Sequence, residues 1–173
     1  YTTLFRSYAV KVMKPPFSQN EYLAMQMVSV VFFAIFIFVT CIYSDKLGRK
    51  TVLISTTLAT LVFSLFAMQS LQHNVLTVML FLCVGFALMG GLFGPCGAYL
   101  PELFPTHVRY SGAGLSYNLA AILGGAFAPA ISTALVKSTG AVESVGWYLA
   151  VMSLLALIAL FLIKESKDED YEK

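Results

Sequence analysis

The amino-acid sequence predicts an all-α membrane protein, and three observations lead to this prediction. Of the 173 residues, 58% are hydrophobic and only 12% are charged, whereas soluble domains average about 45–50% and about 25%. The mean hydropathy is +0.80. The charged residues are grouped, so long stretches between them carry no formal charge. The composition argues against a water-soluble enzyme and a disordered chain, and a net charge of +2 is too balanced for a nucleic-acid-binding surface.

Five uncharged stretches are long enough to cross a bilayer as helices. A spanning helix needs about 20 mostly apolar residues. The uncharged run 51–100 is too long for one helix, and the polar segment 69–74 divides it. The predicted spans are therefore about 22–43, 51–70, 75–100, 110–136 and 145–163.

The two ends of the chain are interpreted separately from the spans. Residues 1–7 match the in-frame translation of a common sequencing adapter. We therefore interpret them as translated adapter sequence, with a native loop as the alternative. Since the chain does not begin with Met, we interpret it as a fragment, in which residues 8–13 are the last turns of a further helix. Residues 8–163 then form the transmembrane part, and residues 164–173, which alternate in charge, form a solvated tail.

Basic residues near the span ends predict the orientation, because short loops rich in Lys and Arg stay in the cytoplasm. Seven such residues lie near one set of span ends and three near the other. The seven are Lys46, Arg49, Lys50, Arg109, Lys164, Lys167 and Lys173, and the three are Lys11, Lys14 and Lys137. Loops 44–50 and 101–109 and the tail are therefore expected in the cytoplasm.

The spans differ in ways that point to different roles. Spans 51–70 and 145–163 are rich in Leu, Val and Phe, as expected of outer, lipid-facing helices. Spans 75–100 and 110–136 are rich in glycine and contain proline, and small residues recur at every fourth position. Such residues permit tight static packing or, alternatively, belong to bending helices that line a transport cavity. The packing and kink candidates are Gly90, Gly94, Pro95, Gly124 and Pro129.

Polar side chains inside the spans are costly in lipid and are candidates for lining a cavity. These candidates are Gln26, Tyr99, Tyr117 and Asn118. For Gln26 and Asn118, a hydrogen bond between helices is the alternative. No ionisable side chain is placed deep in a predicted span, and His73 and His107 fall in predicted loops. The chemistry of any proton coupling is therefore expected elsewhere.

Neither a cofactor, a metal ion nor an enzymatic activity is expected. Cys41, Cys83 and Cys96 fall inside apolar runs, without a CxxC pair or a histidine at ligand spacing, and are interpreted as small apolar side chains. The sequence contains no HExxH, no phosphate-binding loop and no recognisable Ser/His/Asp set.

Two short loops carry most of the charge near the spans. In the first, 45–50, the glycine Gly48 permits a sharp turn, and Asp45, Arg49 and Lys50 surround it. In the second, 101–109, Glu102 ends one span and Arg109 begins the next, and two prolines constrain the connection.

These charges can meet at one membrane face. We predict that Asp45, Arg49, Glu102 and Arg109 form a cytoplasmic charge network that breaks when the inner side of a transporter opens. Simple anchoring of the topology is the alternative.

The sequences of these loops are characteristic. Residues 45–50 read D-K-L-G-R-K, and residues 102–109, E-L-F-P-T-H-V-R, are followed by Gly112. They resemble the loops between helices 8 and 9 and between helices 10 and 11 of the major facilitator superfamily of transporters. With residues 94–105 and 164–168, the chain looks most like the metabolite:proton symporters. Sugar porters share the first two motifs but usually carry Pro-Glu-Ser/Thr after helix 12, where this chain has Lys-Glu-Ser.

The resemblance implies a partial major facilitator helix bundle, helices 8–12 with a remnant of helix 7. It implies a fragment of a secondary transporter that moves a small polar metabolite, such as an organic acid or a betaine, by alternating access with proton symport. A sugar-porter-type carrier and a non-transporting scaffold subunit are the alternatives. The implied partners are the lipid bilayer, the substrate, protons and the missing N-terminal half. The implied location is the bacterial inner membrane, with the C-terminus in the cytoplasm.

Overall fold

The computed structural model describes residues 19–67, 75–140 and 143–163, and within these ranges the chain forms five helices without a strand. The helices are α1 (Gln19–Leu47), α2 (Arg49–Ala67), α3 (Val75–Glu102), α4 (Arg109–Thr139) and α5 (Glu143–Leu162). Each is long and apolar enough to cross a membrane. The predicted all-α membrane class is therefore confirmed. The interpretations of residues 1–7, of 8–13, of the break at 69–74 and of the tail lie outside the described residues.

A single residue connects α1 to α2. Gly48 has a φ of 96°, a left-handed conformation that a side chain would strain. Its amide donates to the Ser44 carbonyl at 3.0 Å, and its own carbonyl accepts from the Val52 amide at 3.2 Å. The backbone hydrogen bonds thus continue across the turn, and α2 begins at the next residue.

The most extensive helix contact in the described bundle is that of α1 with α3, and two glycines of α3 permit it. A Cβ added to Gly94 would lie 2.6 Å from the Thr40 Oγ1 and 2.8 Å from the Ile37 carbonyl oxygen. A Cβ on Gly90 would overlap the Phe33 carbonyl oxygen. These glycines therefore lie where the two backbones approach closely. The helix continues through the buried Pro95 to Glu102.

At the end of the bundle opposite Gly48, a hydrophobic cluster joins four helices. Tyr22 of α1, Val78 and Leu82 of α3 and Val145 of α5 are buried together, and Val136 of α4 packs against them. Each is at most 5% exposed apart from Val136. The first turns of α1, α3 and α5 are therefore tied to the last turn of α4.

Helix α4 is the most exposed helix of the bundle. Ser132 is its one buried residue among those described. No neighbouring heavy atom of the described chain lies within 4 Å of a Cβ added to Gly114, Gly124 or Gly125. The small-residue face around Gly124 therefore has no packing partner within the described residues. The helix is continuous through Pro129, whose carbonyl accepts a hydrogen bond from Thr133 at 2.7 Å.

Candidate functional site

The two charged loops lie at the same end of the bundle, where α1, α3 and α5 end and α2 and α4 begin. Arg49 is the first residue of α2, and Glu102 is the last residue of α3. The Nη1 of Arg49 forms an ion pair with the Oε1 of Glu102. Two loops that are distant in the sequence are thus joined by one pair of charges.

Arg49 also lies near Asp45, its neighbour across the Gly48 turn. The distance from the Arg49 Nη2 to the Asp45 Oδ1 is 3.7 Å. The side chains of Arg49 and Glu102 are 29% and 27% exposed, whereas that of Asp45 is 63% exposed. Because shielding from water strengthens an ion pair, the Arg49–Glu102 pair is the stronger of the two. The Arg49 guanidinium therefore contacts two carboxylates, one in each loop.

The last residue of the first loop is connected to α5. The Lys50 Nζ donates a hydrogen bond to the carbonyl oxygen of Ile163, directly after the last residue of α5. Carbonyl groups in the last turn of a helix have no partner within the helix, and the helix dipole favours a cation there. The turn at Gly48 is thereby linked to the ends of both α3 and α5. The sequence carries no signal for this bond, because its acceptor is a backbone carbonyl that every residue has.

The second loop is built from successive tight turns. The Leu103 amide donates to the Leu100 carbonyl at 3.3 Å, and the Phe104 amide donates to the Pro101 carbonyl at 3.2 Å. These bonds continue the end of α3 beyond Glu102. The half-buried Phe104 ring then lies against Gly112, in the first turn of α4.

Arg109, the fourth residue of the predicted network, begins α4 and is half-buried. Its Nε and Nη2 atoms are shielded from solvent. The two ion pairs described above connect the other three charges, Asp45, Arg49 and Glu102. The role of all four residues in a gate stays a prediction.

The four candidate cavity residues lie on three helices. Tyr99 of α3 is 5% exposed and lies one turn before Glu102. Gln26 of α1 is half-buried, whereas Tyr117 and Asn118 of α4 are exposed. The Asn118 Nδ2 donates to the Gly114 carbonyl at 2.8 Å, within its own helix. Contact with a substrate stays a prediction for all four.

One polar contact between helices carries no signal in the sequence. Ser29 of α1 is fully buried, and its Oγ donates to the Met25 carbonyl at 2.8 Å. The same Oγ lies 3.6 Å from the Sγ of Cys83 on α3. A serine hydroxyl can bond a carbonyl of its own helix in any sequence context. The sequence therefore does not indicate that Ser29 also contacts Cys83. Among the described residues, no group of three or more His, Cys, Asp or Glu side chains could hold a metal ion.

With five apolar helices of membrane-spanning length and charged turns at one end, the chain is a multi-pass membrane protein. The sequence profile of the Major Facilitator Superfamily matches residues 6–173, and the chain belongs to this superfamily.

Several relatives are named transporters. The inner membrane metabolite transport protein YhjE of Escherichia coli is 44% identical over 87% of this chain and 34% of its own length. A citrate-proton symporter of Salmonella typhi is 39% identical over 67% of this chain and 27% of its own length. The ectoine/proline transporter ProP of Corynebacterium glutamicum is 33% identical over 73% of this chain and 25% of its own length. The chain spans about a third of the length of the first two relatives it matches. No solved structure matches the chain significantly.

Proposed function

We propose that this chain is the C-terminal part of a secondary transporter that carries a small polar metabolite, an organic acid or a betaine-like solute, together with protons. The names of the relatives support this substrate class, since they include a citrate-proton symporter and an ectoine/proline transporter. The two halves of major facilitator proteins are repeats that rock about a site near the middle of the membrane. A chain that spans about a third of its relatives needs the remaining part to complete that site.

The observation that best supports the proposal is the ion pair between Arg49 and Glu102. It joins the beginning of α2 to the end of α3 at one face of the bundle. We propose that opening toward this face moves the beginning of α2 away from the end of α3, and the pair opposes that movement. Because partly exposed ion pairs contribute about 0–1 kcal/mol, the pair biases a nearly balanced equilibrium without locking it.

Asp45 gives the Arg49 guanidinium a second partner during opening. It lies in the last turn of α1, 3.7 Å away across the Gly48 turn, and this one-residue connection keeps it near Arg49. When Glu102 moves away, Arg49 keeps a neighbouring carboxylate, so the charge is not left alone at the membrane surface. The cost of opening is reduced accordingly.

The exposed face of α4 is the part of this chain that we propose to face the missing N-terminal part and the substrate path. It carries Tyr117 and Asn118, and the position of Gly124 is open to close approach.

Within the described residues, Asp, Glu, Lys and Arg side chains all lie in the first or last turns of helices. We therefore place the group that carries the coupled proton in the part of the protein outside this chain.

The proposed location is the bacterial inner membrane, with the Gly48 turn and the C-terminus in the cytoplasm. The distribution of basic residues supports this orientation, and one relative is named an inner membrane protein.

Uptake into proteoliposomes tests the proposed function. The complete protein is reconstituted, and uptake of radiolabelled citrate, proline betaine and glucose is measured with and without an inside-alkaline pH gradient. We expect uptake of citrate or the betaine that the gradient drives and a protonophore abolishes. Uptake of glucose alone would favour the sugar-porter alternative, and no uptake of any solute would favour a scaffold subunit. Vesicles that contain only this chain serve as the control, and we expect none of the three solutes to enter them.

A further inference from the structure

The contact between Phe104 and Gly112 fixes the second loop against the start of α4. A Cβ added to Gly112 would lie 2.5 Å from the Cδ1, 2.7 Å from the Cε1 and 2.8 Å from the Cγ of Phe104. The edge of the ring therefore occupies the space where any other residue has its side chain. The φ of Gly112 is negative, so the close approach of the ring, and not the backbone conformation, requires a glycine here.

The ring cannot easily avoid a methyl group at position 112. Rotation about χ2 moves the Cδ1 and Cε1 atoms but leaves the Cγ in place, because the Cγ lies on the rotation axis. Relief requires a new χ1 rotamer or a shift of the loop backbone. Since the Gly112 amide donates to the Val108 carbonyl at 2.7 Å, the loop and the first turn of α4 are also tied together by a hydrogen bond.

Phe104 lies two residues after Glu102, and the intervening backbone has little freedom. The Phe104 amide is bonded to the Pro101 carbonyl at 3.2 Å, and Pro101 itself has a fixed φ. A displacement of Phe104 is therefore transmitted to the end of α3, where Glu102 meets Arg49.

We propose that the Phe104 ring, seated on Gly112, acts as a wedge that positions the Glu102 carboxylate for Arg49. Phe104 and Gly112 are thus positioning residues for the gate, and this inference rests on the proposed function, in which the ion pair biases alternating access. The wedge also couples α4 to the pair: movement of the first turn of α4 shifts the ring, and the ring shifts Glu102. Substitution at either contact residue therefore acts through the ion pair.

The test compares two glycines that face a phenylalanine ring in the complete protein. Gly112→Ala places a methyl group on the Phe104 ring, whereas Gly85→Ala in α3 places its methyl group at an ordinary 3.6 Å from the Phe63 ring. We expect Gly112→Ala to lower the initial rate of uptake about tenfold, in the range of an overpacked contact, and Gly85→Ala to leave it unchanged. In a Phe104→Ala background, Gly112→Ala should cause no further change in the rate, because the overlap is removed. Equal rates for Gly112→Ala and Gly85→Ala, or a further loss from Gly112→Ala in the Phe104→Ala background, would overturn the wedge.

A double-mutant cycle separates positioning from mere packing. The midpoint of thermal unfolding is measured for Glu102→Gln, Gly112→Ala and their combination, and for the same cycle with Gly85→Ala. If the wedge acts through Glu102, the first cycle is non-additive and the second is additive. Additivity in the first cycle would refute the positioning role. The cycle needs no transport, so a protein that carries no solute but shows the coupling would retain the wedge while the proposed function fails.

Discussion

Arg49 and Glu102 form an ion pair between the first residue of α2 and the last residue of α3. The side chain of each is less than a third exposed, so water screens their attraction only partly. The pair connects two loops that belong to different sequence motifs. Removal of either side chain therefore changes what the other contributes to the energy of the bundle.

Neutralising either partner is expected to change transport, and neutralising both is expected to add little more. Glu102→Gln or Arg49→Gln in the complete protein leaves one charge without its main partner, a loss of about 1 kcal/mol for a partly exposed pair. We expect initial uptake rates to change about fivefold in each single variant and by a similar factor in the double variant. Uptake into proteoliposomes measures this. Lys46→Gln, at an exposed position in the same turn, is the control and should leave the rate unchanged. Additive effects in the double variant would contradict the network.

The left-handed turn at Gly48 predicts a cost for any side chain there. Gly48→Ala is expected to destabilise the folded protein by about 1–2 kcal/mol, because φ is 96°. The midpoint of thermal unfolding in detergent measures the loss. Gly97→Ala is the matched control, since no neighbouring atom of the described chain lies within 4 Å of the added methyl group. It is expected to be neutral or slightly stabilising within a helix. Equal midpoints of thermal unfolding for Gly48→Ala and Gly97→Ala would show that the backbone at residue 48 adjusts to accept a side chain.

The crossing of α1 and α3 predicts a second destabilising position. Gly94→Ala would place its methyl group 2.6 Å from the Thr40 Oγ1 and 2.8 Å from the Ile37 carbonyl oxygen. The helices must move apart, at a cost of about 1–3 kcal/mol. The fraction of monodisperse protein after heating, followed by size-exclusion chromatography, reports this loss. Gly85→Ala serves as the control, because its methyl group would meet the Phe63 ring at an ordinary 3.6 Å. Unchanged stability in Gly94→Ala would contradict the close crossing.

The five helices lie where the sequence predicts spans, but α1 extends beyond its predicted end. Apolarity marks the part of a helix that crosses the hydrocarbon region, and it stops at about residue 43 in the first span. The backbone hydrogen bonds continue to Leu47, because Asp45 and Lys46 lose nothing by remaining helical in a polar region. Only the left-handed Gly48 ends α1. Helix ends outside the membrane are thus set by backbone conformation rather than by hydropathy.

For the charged site, the sequence predicts only which residues lie at the same membrane face. Membrane topology places both loops at one end of the bundle, and the sequence therefore brings Arg49 and Glu102 together. Which carboxylate Arg49 prefers depends on side-chain burial. The bond from Lys50 to the Ile163 carbonyl and the Phe104–Gly112 contact depend on the path of the loop backbone, which the residue types do not specify.

The bond from Lys50 to the end of α5 predicts a local effect. Lys50→Met keeps the length of the side chain but removes the charge that caps the Ile163 carbonyl. The last turn of α5 is expected to lose about 0.3–1 kcal/mol, the usual effect of a cation at a helix C-terminus. Hydrogen exchange of amides near the end of α5 should therefore be about two- to fivefold faster. Lys46→Met is the control, and Lys50→Arg should retain most of the protection. Unchanged exchange in Lys50→Met would show that the bond contributes nothing.

The exposed position of Gly124 leads to a prediction that depends on the rest of the protein. No neighbouring atom of the described chain lies within 4 Å of a Cβ at this position, and α4 buries little of its surface here. Gly124→Leu is therefore expected to leave the stability of this chain unchanged in detergent. In the complete protein, we propose that the N-terminal part covers this face. There the same leucine would force the two parts away from close contact, with an expected loss of about 1–3 kcal/mol.

The same substitution in the two contexts provides its own control. Thermal unfolding of the chain and of the complete protein, each with and without Gly124→Leu, gives four midpoints. A loss confined to the complete protein supports close packing of the N-terminal part on α4, because small residues are used where helices approach closely in lipid. A loss in the chain alone would mean that α4 packs more tightly on α3 or α5 than the open position of Gly124 indicates. No loss in either context would place Gly124 toward lipid or an aqueous cavity, and the proposed packing face would have to lie elsewhere on α4.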